Sequence, residues 1–220
     1  MQATLEVYTR LPDLICGQAA AICTGYEGDP IKALRGALKS GHESVAEHAT
    51  FTFRVEGVSR VLLAQQTRHR IASYAVQSQR YCKVDTEANW YVVPPSIADL
   101  GADAVAEYAQ QMDTMGRWYR EWCHKLGDDR KEDARFVLPN AAATELYVTL
   151  NARELRHFFA LRCCNRAQWE IRALADEMLR QCKEVAPVLF ADAGPGCVRG
   201  HCPEGEKSCG APKIGGGGGK

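Results

Sequence analysis

Residues 68–81 read R-H-R-I-A-S-Y-A-V-Q-S-Q-R-Y, and we call this segment the arginine motif. Arg68, His69 and Arg70 follow one another, and Arg80 adds a further cation. The segment contains serine and glutamine side chains but no acidic residue that could pair with these cations. Because guanidinium groups bind phosphate oxygens in bidentate fashion, the motif predicts a site for a phosphate-bearing ligand.

A structural alternative accounts for part of the motif. Arg68, His69 and Arg70 end a predicted helix, where positive charge interacts favourably with the helix dipole, by about 0.3–1 kcal/mol. A single cation would need no other explanation. Three in succession, followed by Ser78 and Arg80 instead of acidic residues, favour an anion site.

The segments before the motif carry strand and helix signals. Residues 4–9 and 49–56 alternate apolar and polar side chains, which predicts half-buried strands. Ser44 and Glu47, in G-H-E-S-V-A-E-H, have the spacing of a capping box. Three other residues are of types that cap or start helices: Asp29, Pro30 and Ser59.

A long helical region follows the motif, beginning near Ser96 and continuing, with a break, to about Leu126. Its Trp118, Tyr119 and Trp122 lie at helical spacing, which favours packing in the core. The alternative is a platform on which nucleic-acid bases stack.

Residues 144–150 predict a further strand, and Asn151 with Glu154 forms an N-cap pair that opens the next helix. The buried stripe of that helix consists of Leu155, Phe158 and Phe159. Arg162 is the next position on this stripe. Because burying an unpaired charge costs several kcal/mol, we expect Arg162 to meet either a carboxylate or the acceptor groups of a ligand. Residues 166–185 predict an amphipathic helix.

Composition limits the class of protein. The chain has 220 residues, of which 46% are hydrophobic, so it can bury a sizeable core. Its 27 basic and 27 acidic residues give a net charge of zero, unlike the positive field of non-specific nucleic-acid binders. The first ten residues contain charges and no long apolar run, so we expect no export signal, no membrane span and a cytoplasmic location.

The chain has ten cysteines, which we expect to be reduced and in several cases buried. We predict a folded domain at residues 1–194 and a flexible, Cys- and Gly-rich tail at 195–220. The tail contains four candidate zinc ligands: Cys197, His201, Cys202 and Cys209. Their C-x4-C-x6-C spacing departs from the paired spacing of zinc sites, which favours solvent-exposed thiols and no metal.

The arginine motif resembles the signature of the flavin-dependent thymidylate synthases. The shared R-H-R-x2-S-x4-S-x-R positions are Arg68, His69, Arg70, Ser73, Ser78 and Arg80. The chain departs from the family pattern at Ala75, where the family usually has Asn, and at Val76, a position at which the family often has a polar residue. The segments G-H-E-S-V-A-E-H, N-A-R-E-L-R-H-F-F-A-L-R and A-Q-W-E-I resemble family segments in the same order and extend the similarity from about Gly41 to Pro187.

The resemblance implies an α+β fold, with an antiparallel sheet flanked by helices, in a single domain that assembles as a homotetramer with active sites at subunit junctions. It implies a methyltransferase that converts deoxyuridylate (dUMP) to thymidylate (dTMP). Methylenetetrahydrofolate would donate the one-carbon unit, and FAD, reduced by NADPH, would supply the hydride. These ligands carry many negative charges, which suits the arginines. The chain has no G-x-G-x-x-G loop, so a Rossmann dinucleotide site is not supported.

The resemblance also implies site residues. FAD would be contacted by His42, Ser44, Arg68, His69, Arg70, Asn151, Arg153 and His157. The residues that bind dUMP would be Gln65, Arg68, Ser78, Gln79, Arg80, Arg135 and Arg162. Arg162 would also be catalytic, because a fixed cation at the uracil ring stabilises negative charge there. Ser78 is assigned to substrate positioning, since no G-x-S-x-G elbow of a nucleophilic serine surrounds it.

The competing interpretation is a nucleic-acid-binding module whose R-H-R cluster binds phosphates and whose aromatic residues stack on bases. The zero net charge argues against it. We therefore expect no nucleic-acid partner, and flavin bound to the purified protein would separate the two interpretations.

Overall fold

The computed structural model describes residues 1–200 and 202–213. One sheet has the strand order β1-β2-β4-β3. Its strands are β1 (Gln2–Tyr8), β2 (Thr50–Ser59), β3 (Ala72–Val76) and β4 (Ala143–Asn151). The hydroxyls of Thr52 and Thr149 lie 2.9 Å apart, and the Arg60 N–H donates to the Ala142 carbonyl at 3.1 Å. Residue numbers rise from 52 to 60 in and just after β2, while those of their partners fall from 149 to 142 in and just before β4, so the two strands are antiparallel.

Helices make up much of the rest of the described chain. They are α1 (Pro12–Thr24), α2 (Pro30–Lys39), α3 (Arg60–Gln66), α4 (Pro95–Ala98), α5 (Ala102–Leu126), α6 (Ala152–Arg162) and α7 (Trp169–Val185). Shorter 3-10 helices span Glu43–His48, Lys131–Val137, Gly196–Arg199 and Gly205–Lys207. The mixture of helices with an antiparallel sheet confirms the α+β class. In the described residues, no helix combines the length and apolar character needed to cross a membrane.

The chain divides into two compact units. The first unit comprises Met1, Glu56–Gln65 and Ala75–Leu146, and its core contains Trp90 and Met112. The second unit comprises Gln2–Val55, Gln66–Tyr74 and the described residues from Tyr147 onward. The aromatic core of the second unit includes Phe51, Phe158, Phe159 and Phe190, whose rings contact one another.

Three of the predicted helix caps are confirmed by hydrogen bonds. Asp29 accepts the Ile31 N–H at 2.9 Å, Ser59 accepts the Leu62 N–H at 3.1 Å, and Asn151 accepts the Glu154 N–H at 2.8 Å. The predicted capping box of Ser44 and Glu47 is wrong. The 3-10 helix there begins at Glu43, so Ser44 already lies within its first turn and His42 occupies the cap position without a side-chain bond.

The predicted core packing of the α5 aromatic residues is correct for Tyr119 and wrong for two tryptophans. Tyr119 is 3% exposed, whereas Trp118 and Trp122 are 48% and 45% exposed. The buried stripe of α5 contains Met112, seven residues before Tyr119, and both tryptophans point away from that stripe. The ammonium group of Lys125 lies 5.1 Å from the centre of the Trp122 ring.

The cysteines are all free, and the predicted burial of several of them is confirmed: Cys16, Cys163, Cys182 and Cys197. The buried thiol of Cys197 contradicts the expectation of solvent-exposed thiols after residue 194. The backbone N–H of Lys213 donates to its sulfur at 3.3 Å. Cys209 is exposed, and His201 lies outside the described residues. The division into a domain at 1–194 and a tail at 195–220 stays a prediction.

Candidate active site

The beginning of α6 lines a cleft in the second unit. The cleft has a volume of about 530 Å³ and is lined by Glu43, Glu47, Ile71, Asn151, Arg153, Glu154 and His157. Asn151 is held by its cap on α6, and Arg153 and His157 are one helical turn apart, so they share a face of the helix. The structure therefore brings together three of the residues predicted to contact FAD.

Arg153 forms an ion pair with Glu47 across this cleft. Both side chains are about half exposed, with values of 52% and 47%. Exposed ion pairs contribute little to stability, typically about 0–1 kcal/mol, because water competes for both partners. The guanidinium of Arg153 can therefore exchange Glu47 for an acceptor group of a ligand at small cost.

His69 is buried in the second unit between Glu154 and Arg162. Its Nδ1 lies 3.1 Å from the Glu154 carboxylate, and the Arg162 Nε–H donates to its Nε2 at 3.1 Å. Burial lowers the pKa of His69; the hydrogen bond to Glu154 opposes this shift, and the charge of Arg162 adds to it. The imidazole of His69 is therefore neutral at neutral pH.

The described residues provide no carboxylate partner for Arg162, so the salt-bridge alternative has no support among them. The imidazole of His69 is the acceptor for Arg162, and this bond uses only the Nε–H of the guanidinium. Burial lowers the pKa of the Arg162 guanidinium, although the group stays charged. The two terminal nitrogens of the half-buried guanidinium remain available to the acceptor groups of a ligand.

Arg156, on the same helix α6, connects two other segments of the second unit, with one partner in one segment and two in the other. It donates to Glu43 at 3.0 Å, to Asp192 at 2.7 Å and to the Leu189 carbonyl at 2.6 Å. Burial would lower the pKa of Arg156, but the bonds to Asp192 and Glu43 raise it overall. These bonds fix the 3-10 helix that starts at Glu43 against α6.

The other predicted FAD residues are not all in this cleft. His42 and Ser44 line a separate groove of about 880 Å³ that is formed mainly by α1 and α2. Arg68 and Arg70 are exposed on the segment that follows α3, and their guanidinium groups make no ion pair with residues 1–200 or 202–213.

The remaining predicted dUMP residues lie in the first unit. The Ser78 hydroxyl accepts the Arg80 N–H at 3.2 Å, and Gln65 and Gln79 are half-buried. Arg80 forms an exposed ion pair with Glu132, an acidic partner that the motif itself lacks.

The 3-10 helix Lys131–Val137 carries both Glu132 and Arg135. Burial, and then the charge of Arg135, lowers the pKa of Arg60, so these two guanidinium groups lie near each other. Two neighbouring positive charges favour the binding of an anion between them. Arg60 was not among the site residues predicted from the sequence.

Comparisons with known proteins identify the family. Residues 4–188 match the family described as thymidylate synthase complementing protein. The chain is 47% identical over 225 residues to the flavin-dependent thymidylate synthase of Geobacter sulfurreducens, covering 96% of this chain and 94% of the relative. The chain belongs to the flavin-dependent thymidylate synthase family. The predicted family and enzyme class are thereby confirmed.

Other proteins similar to this chain give the same result. The flavin-dependent thymidylate synthase of Nitratidesulfovibrio vulgaris is 55% identical over 181 residues, covering 79% of this chain and 73% of the relative. The thymidylate synthase ThyX of Helicobacter pylori, solved with FAD and dUMP, has a TM-score of 0.66 at 26% identity and covers 88% of this chain and 100% of its own. The UMP/dUMP methylase PolB of Streptomyces cacaoi, solved with 5-Br dUMP, has a TM-score of 0.73 at 25% identity, covering 86% and 93%.

Three polar residues near the candidate site residue His69 were missed by sequence reasoning. Glu154 was recognised only as part of an N-cap pair, although its side chain reaches His69. Gln66 is fully buried, and its side-chain amide has no hydrogen-bond partner in the described part of the chain. Tyr74 donates to the backbone carbonyls of Gln66 and His69, each at 2.8 Å, and burial raises its pKa to about 12.

Among the described residues, one cluster of three side chains has ligand atoms of the right types, close enough together, to hold a metal ion. The ligand atoms of His69, Glu154 and His157 lie within 4.8 Å of one another. Both ring nitrogens of His69 already have partners, so a metal ion would have to displace Arg162 or Glu154. The predicted absence of a metal stays a prediction.

Proposed function

We propose that this enzyme binds FAD and dUMP and converts dUMP to dTMP, with methylenetetrahydrofolate as the one-carbon donor and NADPH as the reductant. The observation that carries the proposal is a charged Arg162 without a carboxylate partner in the described chain, hydrogen-bonded to His69 of the arginine motif. The family relative from Helicobacter pylori was solved with FAD and dUMP, which supports the same ligands here. When bound, FAD supplies the hydride that completes the new methyl group.

The donor groups of the second unit fit a flavin dinucleotide. The residues proposed to contact it are His42, Ser44, Arg68, His69, Arg70, Asn151, Arg153 and His157. Glu43, Glu47 and Glu154 line the α6 cleft and would repel phosphate. We therefore assign the pyrophosphate to the exposed Arg68 and Arg70, and the uncharged parts of FAD to the cleft.

The dUMP phosphate is assigned to arginines whose described partners are weak or absent. The residues proposed to bind dUMP as a whole are Gln65, Arg68, Ser78, Gln79, Arg80, Arg135 and Arg162, of which Arg162 is assigned to the uracil ring. Arg80 must leave Glu132, and because that ion pair is exposed, the exchange costs little. A phosphate dianion between two guanidinium groups forms bonds stronger than those between neutral partners.

Arg162 is assigned the catalytic role. The uracil ring gains negative charge as its carbon attacks the one-carbon unit, and a fixed guanidinium beside it stabilises that charge. Since no carboxylate neutralises Arg162 in the described chain, its full charge is available for this purpose. Partial burial strengthens the interaction because less water screens it.

We assign the protein to the cytoplasm, as a single-domain subunit of a homotetramer. Three large apolar side chains that neighbour proposed site residues in the sequence are well exposed in the isolated chain: Ile71, Tyr81 and Phe136. Exposed apolar surface beside a binding site is typical of regions that a partner covers. In the homotetramer, a neighbouring subunit offers several of the dUMP-binding residues.

The test is thymidylate formation by wild-type protein and by Arg162→Lys, with Arg180→Lys on the exposed face of α7 as the control. Lysine keeps the charge but loses the planar fork, so we expect turnover to fall by roughly tenfold or more, and by more than dUMP affinity does. NADPH oxidation by bound FAD should be retained. Wild-type turnover in Arg162→Lys contradicts the catalytic assignment, and wild-type protein that binds neither FAD nor dUMP contradicts the function.

A further inference from the structure

Glu154, His69 and Arg162 form a continuous hydrogen-bonded series, which we call the Glu–His–Arg chain. The distance is 3.1 Å from the Glu154 carboxylate to His69 Nδ1, and 3.1 Å from Arg162 Nε to His69 Nε2. Glu154 and His69 are buried, and Arg162 is half-buried. Water therefore has little access to the two bonds that involve the imidazole.

The direction of these bonds follows from the donor chemistry of arginine. A guanidinium only donates, so His69 Nε2 must accept and cannot carry a proton. The neutral ring then keeps its proton on Nδ1, where it donates to the Glu154 carboxylate. The charged and polar groups that face His69 are Glu154, Arg162 and His157, and the edge of Phe158 closes the remaining side.

We propose that Glu154 is a positioning residue for methyl transfer: it holds the His69 tautomer that accepts the Arg162 Nε–H, and so fixes the plane of the guanidinium. The inference rests on the proposed catalytic role of Arg162. With Nε held by His69, the terminal nitrogens of the fork are directed away from the imidazole. A preorganised donor loses no free energy to reorientation when charge develops on the substrate.

A purely structural role for Glu154 is the alternative, because a carboxylate in the first turn of a helix is stabilised by the helix dipole. Glu154→Gln separates the two. The carboxylate can only accept and so fixes the proton on Nδ1, whereas the amide has the same shape but can donate as well as accept, so it no longer selects the tautomer whose Nε2 accepts the Arg162 N–H. A structural role would change stability and flavin content; a positioning role changes turnover at constant dUMP affinity.

The first experiment measures turnover, dUMP affinity and bound flavin in Glu154→Gln. We expect turnover to fall roughly tenfold, or about 1.4 kcal/mol, with dUMP affinity and flavin content changed by less than about twofold. Glu154→Asp, which keeps the charge, should recover part of the turnover. The control is Glu184→Gln, which removes an exposed carboxylate from α7 and should leave turnover unchanged.

The second experiment reads the tautomer directly, and it does not depend on any variant being active. Solid-state nitrogen-15 NMR of histidine-labelled wild-type protein reports which ring nitrogens carry protons. The chain has six histidines, so the His69 signals are assigned by their loss in His69→Gln. We expect His69 to be protonated on Nδ1 alone, and protonation of Nε2 in the wild type would overturn the proposal.

The third experiment combines Glu154→Gln with Arg162→Lys. If Glu154 acts through Arg162, the second substitution causes little further loss of turnover, because the group being positioned is already gone. If the fold losses of the two single variants multiply in the double variant, Glu154 acts independently of Arg162, and the proposed role of the Glu–His–Arg chain is refuted. If Arg162→Lys keeps wild-type turnover, the proposed function of Arg162 fails; if it loses turnover while Glu154→Gln does not, only the role of Glu154 fails.

Discussion

Arg156 and Arg180 form a matched pair of arginines in one chain, since each contacts two carboxylates. Arg156 binds Glu43 and Asp192 at 3.0 and 2.7 Å, and its side chain is only 2% exposed. Arg180 binds two acidic residues of its own helix, α7, and is 57% exposed. The same substitution at both positions therefore measures what burial adds to an arginine with two acidic partners.

Arg156→Met keeps an unbranched side chain and removes the charge. It leaves Asp192 and the Leu189 carbonyl without this donor, and leaves Glu43 with only Arg199, 3.9 Å away, as a cationic partner. Breaking a buried ion pair costs about 3–5 kcal/mol, because the remaining charge is uncompensated. The two carboxylates are 29% and 47% exposed and can regain water, so we expect a loss near the lower limit, roughly 3 kcal/mol in the free energy of unfolding.

The assay is urea unfolding of wild type, Arg156→Met and Arg180→Met at the same protein concentration. We expect the unfolding midpoint of Arg156→Met to move to clearly lower urea with an unchanged slope, and that of Arg180→Met to stay at the wild-type value. Equal losses in the two variants would refute the argument from burial. An Arg156→Met variant as stable as the wild type would show that the network contributes nothing.

Three further measurements bear on the site and its support. Arg68→Ala and Arg80→Ala should each weaken dUMP binding by about 1.5–3 kcal/mol, measured by calorimetry, with unchanged unfolding; unaltered affinity in both removes the phosphate assignment. Burial would raise the pKa of Asp192, but Arg156 lowers it overall, so its contribution to stability is present at neutral pH and is lost as the pH falls below the usual carboxyl range of about 4. In urea unfolding at several pH values, Arg156→Met should therefore lose less stability on acidification than the wild type does. If the site is shared in the proposed homotetramer, dilution that dissociates the assembly should release FAD; mass and bound flavin are measured together, and a monomer with full flavin would contradict the shared site.

Sequence reasoning succeeded where neighbouring residues decide the structure. The cap of α6 by Asn151 and the alternation of β2 and β4 depend on residues a few positions apart, and they were predicted correctly. Trp118 and Trp122 were placed in the core because their spacing is helical. Which stripe of α5 is buried depends on the segments that pack against it, and the spacing of the aromatic residues contains no information about those segments.

The partners of the site residues were not predictable for the same reason. Arg80 pairs with Glu132, which is 52 positions away, and the arginine motif gave no sign of an acidic partner. The acceptor for Arg162 is 93 positions away and is an imidazole, a type of group that was not considered for it. Hydrophobic periodicity identifies the face of a helix on which a charge lies, but the topology of the chain decides what meets that charge.

Helix α6 illustrates how the partner decides the role of a charged residue. Arg156 and Arg162 lie six positions apart on this helix, and both are removed at least partly from water. Acidic partners raise the pKa of Arg156 overall, so its charge is already neutralised within the chain and can only stabilise the fold. Burial lowers the pKa of Arg162, and its acceptor is a neutral ring, so its charge is left for a ligand. A half-buried cation that the described chain leaves uncompensated is costly to the fold, and under the proposed function the binding of negatively charged dUMP offsets that cost.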